Sequence, residues 1–373
     1  MPPHPARTTP FDELAAALDT RVRAGAVARA NQGPLALYIY TNRCVYDGLW
    51  DDVSVLARGL VLDHAARVVR ATPFPKFFNY GERGAAIPDE PFEVYEKLDG
   101  SLAIVFHDGQ RWRVVTKGAF DSAQAQWARA WLSLRSMDAL AVGTTYLFEA
   151  IYPENRIVVR YDTAGLSLLA AYDEFGDELD RNALAAVAAG LSCPLVTTHS
   201  LASLRDVIEL AAALDRTREG FVIRFTSGLR LKLKGAAYRR IHAMLSDTTP
   251  LGLWRAMEAG DDLDAFRREI PEEYWADFDA IRAGLTTRLA TISDEVEAAA
   301  AEWAGTADRD LGPIIATLSP VVRPFLFSRR KRGSAWLTDP ASKRALFRMI
   351  RPDGNVLAGY TPSTYLLGAT AAE

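Results

Sequence analysis

Between residues 92 and 106 the chain reads as two strands joined by a short polar turn, and that turn holds a lysine. Phe92-Glu93-Val94-Tyr95 enters it, Glu96-Lys97-Leu98-Asp99-Gly100-Ser101 makes it, and Leu102-Ala103-Ile104-Val105-Phe106 leaves it. The second run pairs in turn with 111–116 through His107-Asp108-Gly109-Gln110, where Asp-Gly is a favoured hairpin dipeptide. The spacing therefore predicts antiparallel sheet around Lys97, which constrains the fold to one that carries this lysine at a strand edge. An ammonium so placed becomes a nucleophile when burial and neighbouring cations favour its neutral form. Taken alone, the pattern Lys-x-Asp-Gly of residues 97–100 also describes any charged hairpin turn.

Upstream, residues 11–30 are predicted to form a helix, with Phe11, Leu14, Leu18 and Val22 at helical spacing and Thr8 or Thr9 as its cap. Short β-rich runs follow at 35–40, 59–62 and 67–70, punctuated by Asp, Gly and Pro. Helices are expected at 121–140, 178–190 and 201–214, interleaved with strands at 145–151, 156–160, 166–172, 220–226 and 229–234. This mixture lacks regular βαβ alternation and implies an α+β fold with antiparallel sheets and flanking helices. Beyond Tyr238 the strand signals fade. Leu253, Met257, Phe266, Tyr274, Phe278, Ile281, Leu285, Leu289, Ile292 and Val296 fall on helical faces. Two domains are expected, 1–244 and a mainly α-helical 245–373.

Composition decides less. With 49% hydrophobic and 24% charged residues the chain can bury a core. Cys44 and Cys193 are too few for a disulfide framework or a structural zinc site, and the five histidines are scattered singly. No apolar run is long enough for a membrane span and the N-terminus lacks a signal-like stretch, so a cytoplasmic location without membrane association is expected. A net charge of −4 argues against a protein that coats nucleic acid nonspecifically. Residues 1–244 carry 28 Lys+Arg against 28 Asp+Glu, 245–308 carry 5 against 15, and 309–351 carry 10 against 2, so the C-terminal third is polarised. Its densest basic point, Arg329-Arg330-Lys331-Arg332, reads either as a solvated loop or as a phosphate contact.

Three further runs carry chemistry. In Tyr146-Leu147-Phe148-Glu149-Ala150, Glu149 shares a strand face with apolar Leu147 and Ile151, so its carboxylate needs a partner. Glu219-Gly220-Phe221-Val222-Ile223 puts a carboxylate at the start of a strand. Arg230, Lys232 and Lys234 alternate with Leu229, Leu231 and Leu233, giving one cationic and one apolar face; a wet outer face explains that, and so does a bound anion.

Lys97-Leu98-Asp99-Gly100 resembles motif I of the covalent nucleotidyltransferases, the superfamily of ATP-dependent ligases and mRNA capping enzymes. The Glu149, Glu219 and Lys232–Lys234 runs resemble motifs III, IV and V in the family's order. Ala57-Arg58-Gly59, Pro75-Lys76-Phe77-Phe78-Asn79 and Thr116-Lys117-Gly118 resemble segments of one branch, the RNA ligases similar to phage T4 RNA ligase 1. The resemblance covers roughly residues 35–240. It implies a nucleotidyltransferase (adenylation) domain in which Lys97 attacks the α-phosphorus of ATP and forms a lysyl-AMP. It further implies that Lys232 and Lys234 hold the α-phosphate and depress the pKa of Lys97. Glu219 and Glu149 would hold Mg2+, with Mn2+ as the alternative, and contact with the ATP ribose is the other role implied for Glu149. Arg58 and Lys117 would reach the ribose or outgoing phosphates, Lys76 and Phe78 would shape the nucleotide pocket or its RNA end, and Gly100 would allow close backbone approach. Glu154-Asn155-Arg156 also resembles the family, as either a turn or a substrate contact. The implied partner is RNA with 5′-phosphate and 3′-hydroxyl ends, in RNA repair, tRNA repair included, with a kinase or phosphatase to prepare the ends; the helical domain would be an RNA-specificity module. A DNA ligase, a GTP-using capping enzyme and a noncatalytic nucleotide- or RNA-binding module are the rival readings, and the first two generally carry a β-barrel after motif V. Oligomeric state is left open.

Overall fold

The computed structural model describes residues 2–82, 87–270 and 274–362. The chain divides into two compact units, Met1–Arg240 and a second from Ile241 onward.

In the first unit, β1 (Val27–Gln32), β2 (Leu35–Tyr40), β3 (Arg58–Asp63) and β4 (Val68–Ala71) form an antiparallel meander in the order β1-β2-β3-β4. After a two-residue strand β5 (Phe78–Asn79) come β6 (Phe92–Lys97), β7 (Ser101–His107), β8 (Trp112–Thr116), β9 (Thr145–Ile151) and β10 (Gly165–Tyr172). Strands β11 (Thr198–His199), β12 (Gly220–Phe225) and β13 (Arg230–Lys234) complete the set. The second sheet has the order β10-β9-β7-β8 and the third β11-β6-β12-β13-β5, antiparallel except where β13 meets β5.

The continuous apolar runs of β2 and β7 follow from burial on both faces. Leu35 and Leu37 of the first sheet pack against Leu102, Ile104 and Phe106 of the second. On the opposite faces, Ala36 and Tyr38 meet Leu14 and Leu18 of helix Phe11–Arg23, while Ala103 and Val105 meet Ala128, Leu132 and Leu184 from helices Ala123–Ser133 and Arg181–Gly190. The third sheet has its own core, in which Val94, Phe221, Ile223 and Phe225 pack against Val207 and Ala211 of helix Leu204–Ala213.

Two expectations need correction. The first long helix stops at Arg23 and residues 27–30 belong to β1; Gly25 at φ +75° ends the helix, and Pro10 rather than Thr8 or Thr9 occupies its cap position. Residues 156–160 form no strand, because the Val158 and Val159 amides donate to the Asp99 carboxylate instead of to a neighbouring strand.

Among the described residues no strand follows β13. The second unit is helical, with Leu253, Tyr274, Phe278, Ile281, Leu285 and Val296 all buried. Its polarised charge is largely spent internally. Arg329 donates to Glu297 at 2.6 Å, Arg330 to Asp308 at 2.9 Å and to the Trp303 and Thr306 carbonyls at 2.6 Å, and Arg332 pairs with Asp339 at 3.2 Å. Residues 329–332 lie in a helix, Leu326–Arg332, rather than a loop, and its three arginines are paired within the unit. No helix among the described residues is long and apolar enough to cross a membrane.

Candidate active site

Strand register builds the centre of the site. Lys97, the last residue of β6, lies opposite Gly220 of β12, and Gly220 lies opposite Lys234 of β13. Residues paired across antiparallel strands share a face, so both lysines flank one glycine. Glu219, one residue earlier and buried, accepts from Lys97 Nζ at 2.7 Å and from Lys234 Nζ at 3.1 Å. The preceding pair runs the other way: Arg218 donates to Glu96 at 3.1 Å and to His199 Nε2 at 3.3 Å. Two ion pairs of opposite sense on consecutive residues fix the register of β6 against β12.

The turn after Lys97 carries the chain from the third sheet to the second. Asp99 is buried; one carboxylate oxygen accepts from the Val158 and Val159 amides at 2.8 Å each, the other from the Tyr238 hydroxyl at 2.7 Å, and the Asp99 amide donates to Tyr161 Oη at 2.7 Å. Burial, reinforced by Glu219, pushes the Asp99 carboxyl above its ordinary range against these donors. A Cβ on Gly100 would sit 2.5 Å from the Ala150 carbonyl oxygen and 3.2 Å from Glu149 Cγ, so only glycine lets the turn lie flat on β9. Ser101 Oγ donates to Asn155 Oδ1 at 2.9 Å, and Asn155 Nδ2 donates to the Ala150 carbonyl at 2.9 Å. The Asn155 side chain is thus a brace of the turn.

Glu149 on β9 lies opposite Leu102 of β7. Among the described residues it makes no hydrogen bond or ion pair, and burial pushes its carboxyl up to about 7, with Lys97 pulling the other way. Lys97 departs from expectation: burial alone would depress its pKa, but Glu219, Glu149 and Asp99 outweigh burial and raise it above the ordinary lysine value. In the free protein the carboxylates, not the cations, set the charge of Lys97.

The remaining cations surround this centre. Arg58 opens β3, and Gly59, at φ +94°, brings that strand so close that an added Cβ would meet Lys117 Cα at 3.1 Å. The Arg58 guanidinium lies 5.4 Å from the Phe77 ring, and its buried Nη1 has no hydrogen-bond partner among the described residues. Lys76 Nζ is caged by the rings of Phe78 at 5.3 Å and of Tyr40 and Trp50 at 5.6 Å each. Burial is the first cause depressing both Lys76 and Lys117, and Arg58 adds to each. Lys232, which pairs with Asn79 where β13 meets β5, is pushed down to about 7 by burial and by Lys76, Lys97, Lys234 and Arg58. Mutual depression of this kind marks one cluster of like charge. Arg230 does not join it: it is buried against Glu178 at 2.5 Å, against Tyr172 Oη at 3.3 Å and over the Phe74 ring at 4.7 Å. The cationic face of β13 is therefore Lys232 and Lys234 only.

The fold thus assembles Lys97, Glu219 and Lys234 in contact, with Arg58, Lys76, Lys117, Glu149 and Lys232 electrostatically coupled to one another or to them. Periodicity gave no signal for Tyr40, Trp50, Tyr161 or Tyr238; only Tyr238, four residues after Lys234, stands at a spacing that could have drawn attention. For a divalent cation the donors fit in part. Glu149 is a carboxylate without a direct partner, whereas both oxygens of Glu219 are engaged by lysines, and no group of three metal-ligating side chains converges among the described residues. Magnesium keeps several waters and phosphate oxygens in its shell, so one or two carboxylates suffice. The cluster of cations is suited to a polyanion held against a lysine.

A protein-family model described as RNA ligase matches residues 56–238. Over 221 residues the chain is 26% identical to a candidate bifunctional polynucleotide kinase/RNA ligase of Autographa californica nuclear polyhedrosis virus, covering 51% of this chain and 31% of that protein. It is 24% identical over 206 residues to an RNA ligase of Rhodothermus phage RM378, covering 43% of this chain and 45% of that one. The chain spans less than half the length of either curated relative. Among solved structures, an archaeal ATP-dependent RNA ligase superposes with a TM-score of 0.50 at 15% identity, covering 76% of this chain and 83% of the other, a likeness of fold.

Proposed function

Residues 56–238 belong to the RNA ligase family of the phage T4 RNA ligase 1 type, and from that premise we propose that this chain seals RNA 5′-phosphate and 3′-hydroxyl ends at the expense of ATP. The observation that carries the reading is Lys97 fixed at the end of β6 against Glu219, with Lys234 across Gly220 and four further cations around them.

In the first step Lys97 Nζ, having lost a proton, bonds to the α-phosphorus of ATP as the bond to the pyrophosphate oxygen breaks. Lys232 and Lys234 face the charge that develops on the α-phosphoryl oxygens, and Arg58, Lys76 and Lys117 neutralise the departing phosphates. The 5′-phosphate of an RNA then displaces the Lys97 amine from the adenylyl phosphorus, and an RNA 3′-hydroxyl displaces AMP to form the phosphodiester. Glu149, with Glu219, would hold a magnesium or manganese ion, which supplies positive charge against the phosphates. Asp99, Asn155 and Gly100 act on the geometry of the turn rather than on the reacting atoms. We further assign residues 1–244 to adenylation and the helical remainder to choice of RNA, with tRNA ends among the candidate substrates in repair. The strand-poor helical unit, where a DNA ligase or capping enzyme would place a β-barrel, supports RNA over those rivals.

Incubating the chain with ATP labelled at the α-phosphate and magnesium, and then with 5′-phosphorylated RNA or DNA, tests this reading. Label should move from protein to RNA and then appear as AMP as the RNA is sealed. Transfer to DNA alone, labelling by GTP alone, or no protein-bound label would support a rival.

Lys232 supplies a second expected result. Its free pKa lies near 7 and a bound polyphosphate stabilises the ammonium form. At pH 8 the amine is mostly neutral before binding and protonated after, so ATP binding without metal should take up close to one proton and weaken as pH rises above 7. Calorimetry in two buffers of different ionisation enthalpy measures this, and Lys232→Met should remove the uptake.

A further inference from the structure

Helix Pro340–Ile350 presents a row of exposed arginines that charge density along the chain does not single out. Its inner face, Ser342, Leu346, Phe347 and Ile350, is buried in the core of the helical unit. Arg344, Arg348 and Arg351 are exposed on the other side at spacings of four and three residues, which places them on one face of a helix of 3.6 residues per turn. The helical rise sets Arg344 and Arg348 about 6 Å apart along the axis and Arg344 and Arg351 about 10 Å apart.

These charges are uncompensated. Arg329, Arg330 and Arg332 are each paired with a carboxylate, but none of Arg344, Arg348 and Arg351 has a salt bridge among the described residues, and no carboxylate occurs between Asp339 and Asp353. Helix stability explains only part of the row. Arg348 and Arg351 lie at the C-terminal end, where the helix dipole favours cations, but Arg344 is mid-helix and four residues from a like charge, an arrangement that costs stability. The outermost arginine is held in place: Arg351 lies 5.6 Å from the Trp254 ring, and Trp254 Nε1 donates to the Phe347 carbonyl at 2.8 Å. Guanidinium groups on a rigid repeat, each free to donate in pairs, match phosphate oxygens. A lipid surface is disfavoured because the apolar face such a helix would insert is already buried in the unit's own core.

We propose that Arg344, Arg348 and Arg351 form an RNA phosphate-backbone contact face, and that this face rather than the 329–332 run makes the helical unit's contribution to RNA binding. The inference rests on the RNA-ligase reading for its choice of polyanion. The test uses the full chain and its Arg344→Gln/Arg348→Gln/Arg351→Gln variant, with a fluorescent 5′-phosphorylated single-stranded RNA titrated by anisotropy over a range of salt. Loss of three phosphate contacts should weaken binding at least tenfold at low salt and reduce the slope of log affinity against log salt by about 2. Equal affinity and equal slope for the two proteins would overturn the proposal. So would a variant that loses binding to phosphatidylserine vesicles while keeping RNA affinity. If circular dichroism finds the triple variant unfolded, Arg344→Glu alone, exposed and unpaired, takes its place with the same readouts and the same deciding outcomes. Lysyl-AMP formation by the unaltered chain is scored separately: RNA binding through this face without any lysyl-AMP would defeat the ligase reading and leave the face standing, and the reverse pattern would do the opposite.

Discussion

Lys97→Ala is expected to abolish covalent labelling by ATP and all sealing that starts from ATP, while leaving the sheets intact. The loss is complete rather than partial because the variant removes the atom that bonds to phosphorus, and no other lysine stands on the β6 side of Gly220. Lys234 is the nearest rival nucleophile, since it shares the Glu219 carboxylate, but it sits on the far side of Gly220 in β13. Mass spectrometry after ATP treatment should find one AMP adduct, on Lys97, and none in the variant. A variant given pre-adenylated RNA should retain some sealing, because that step uses the cation cluster and not the Lys97 amine. An adduct on Lys234, or undiminished labelling of Lys97→Ala, would place the chemistry elsewhere.

Glu219→Gln should slow lysyl-AMP formation by about 10²–10³-fold, the usual scale for loss of one preorganised electrostatic contact. Glu219 is the hinge of the site: one buried carboxylate spans Lys97 and Lys234 and is held ionised by them, their attraction outweighing burial. The amide keeps the shape and removes the charge, leaving two partly buried ammonium groups without their counterion. Stability should therefore fall as well, by about 1–3 kcal/mol, less than for a fully buried pair because both lysine side chains keep some water contact. The sign of the pH dependence follows from the depressed carboxyl. The wild-type advantage should be full above the ordinary glutamate range and vanish as pH falls through and below it. Single-turnover labelling, with thermal unfolding followed from pH 7 to pH 3, measures both; an unchanged labelling rate would reduce Glu219 to a structural ion pair.

Much of this was legible because it is local. The run Leu35 to Tyr40 and the paired runs around Asp108-Gly109 announce strands by alternation and turn chemistry, and the structure forms them at Leu35–Tyr40, Ser101–His107 and Trp112–Thr116. The Lys97 turn between two strands, the carboxylates of Glu149 and Glu219 and the alternating charges of β13 were visible in the same way. Helical spacing likewise identified Leu253, Phe278, Ile281, Leu285 and Val296 as core positions.

What sequence could not decide was which charges meet. Arg230, Lys232 and Lys234 are indistinguishable as an alternating pattern, yet Glu178, 52 residues away in sequence, claims the first and leaves the other two to the site. Arg329 to Arg332 outshine Arg344, Arg348 and Arg351 in density, yet Glu297, Asp308 and Asp339 pair the three arginines of the dense run, while the sparse row is exposed and without a salt bridge among the described residues. Residues 156–160 have the composition of a strand, but Asp99 takes the Val158 and Val159 amides that a strand would need. The charge state of Lys97 follows the same rule, since among the groups that raise it Glu219, 122 residues distant, comes before Asp99 of its own turn. Backbone periodicity is a property of neighbours in the chain and is written in the sequence; hydrogen bonding and Coulomb energy depend on distance through space, which only the packed sheets determine.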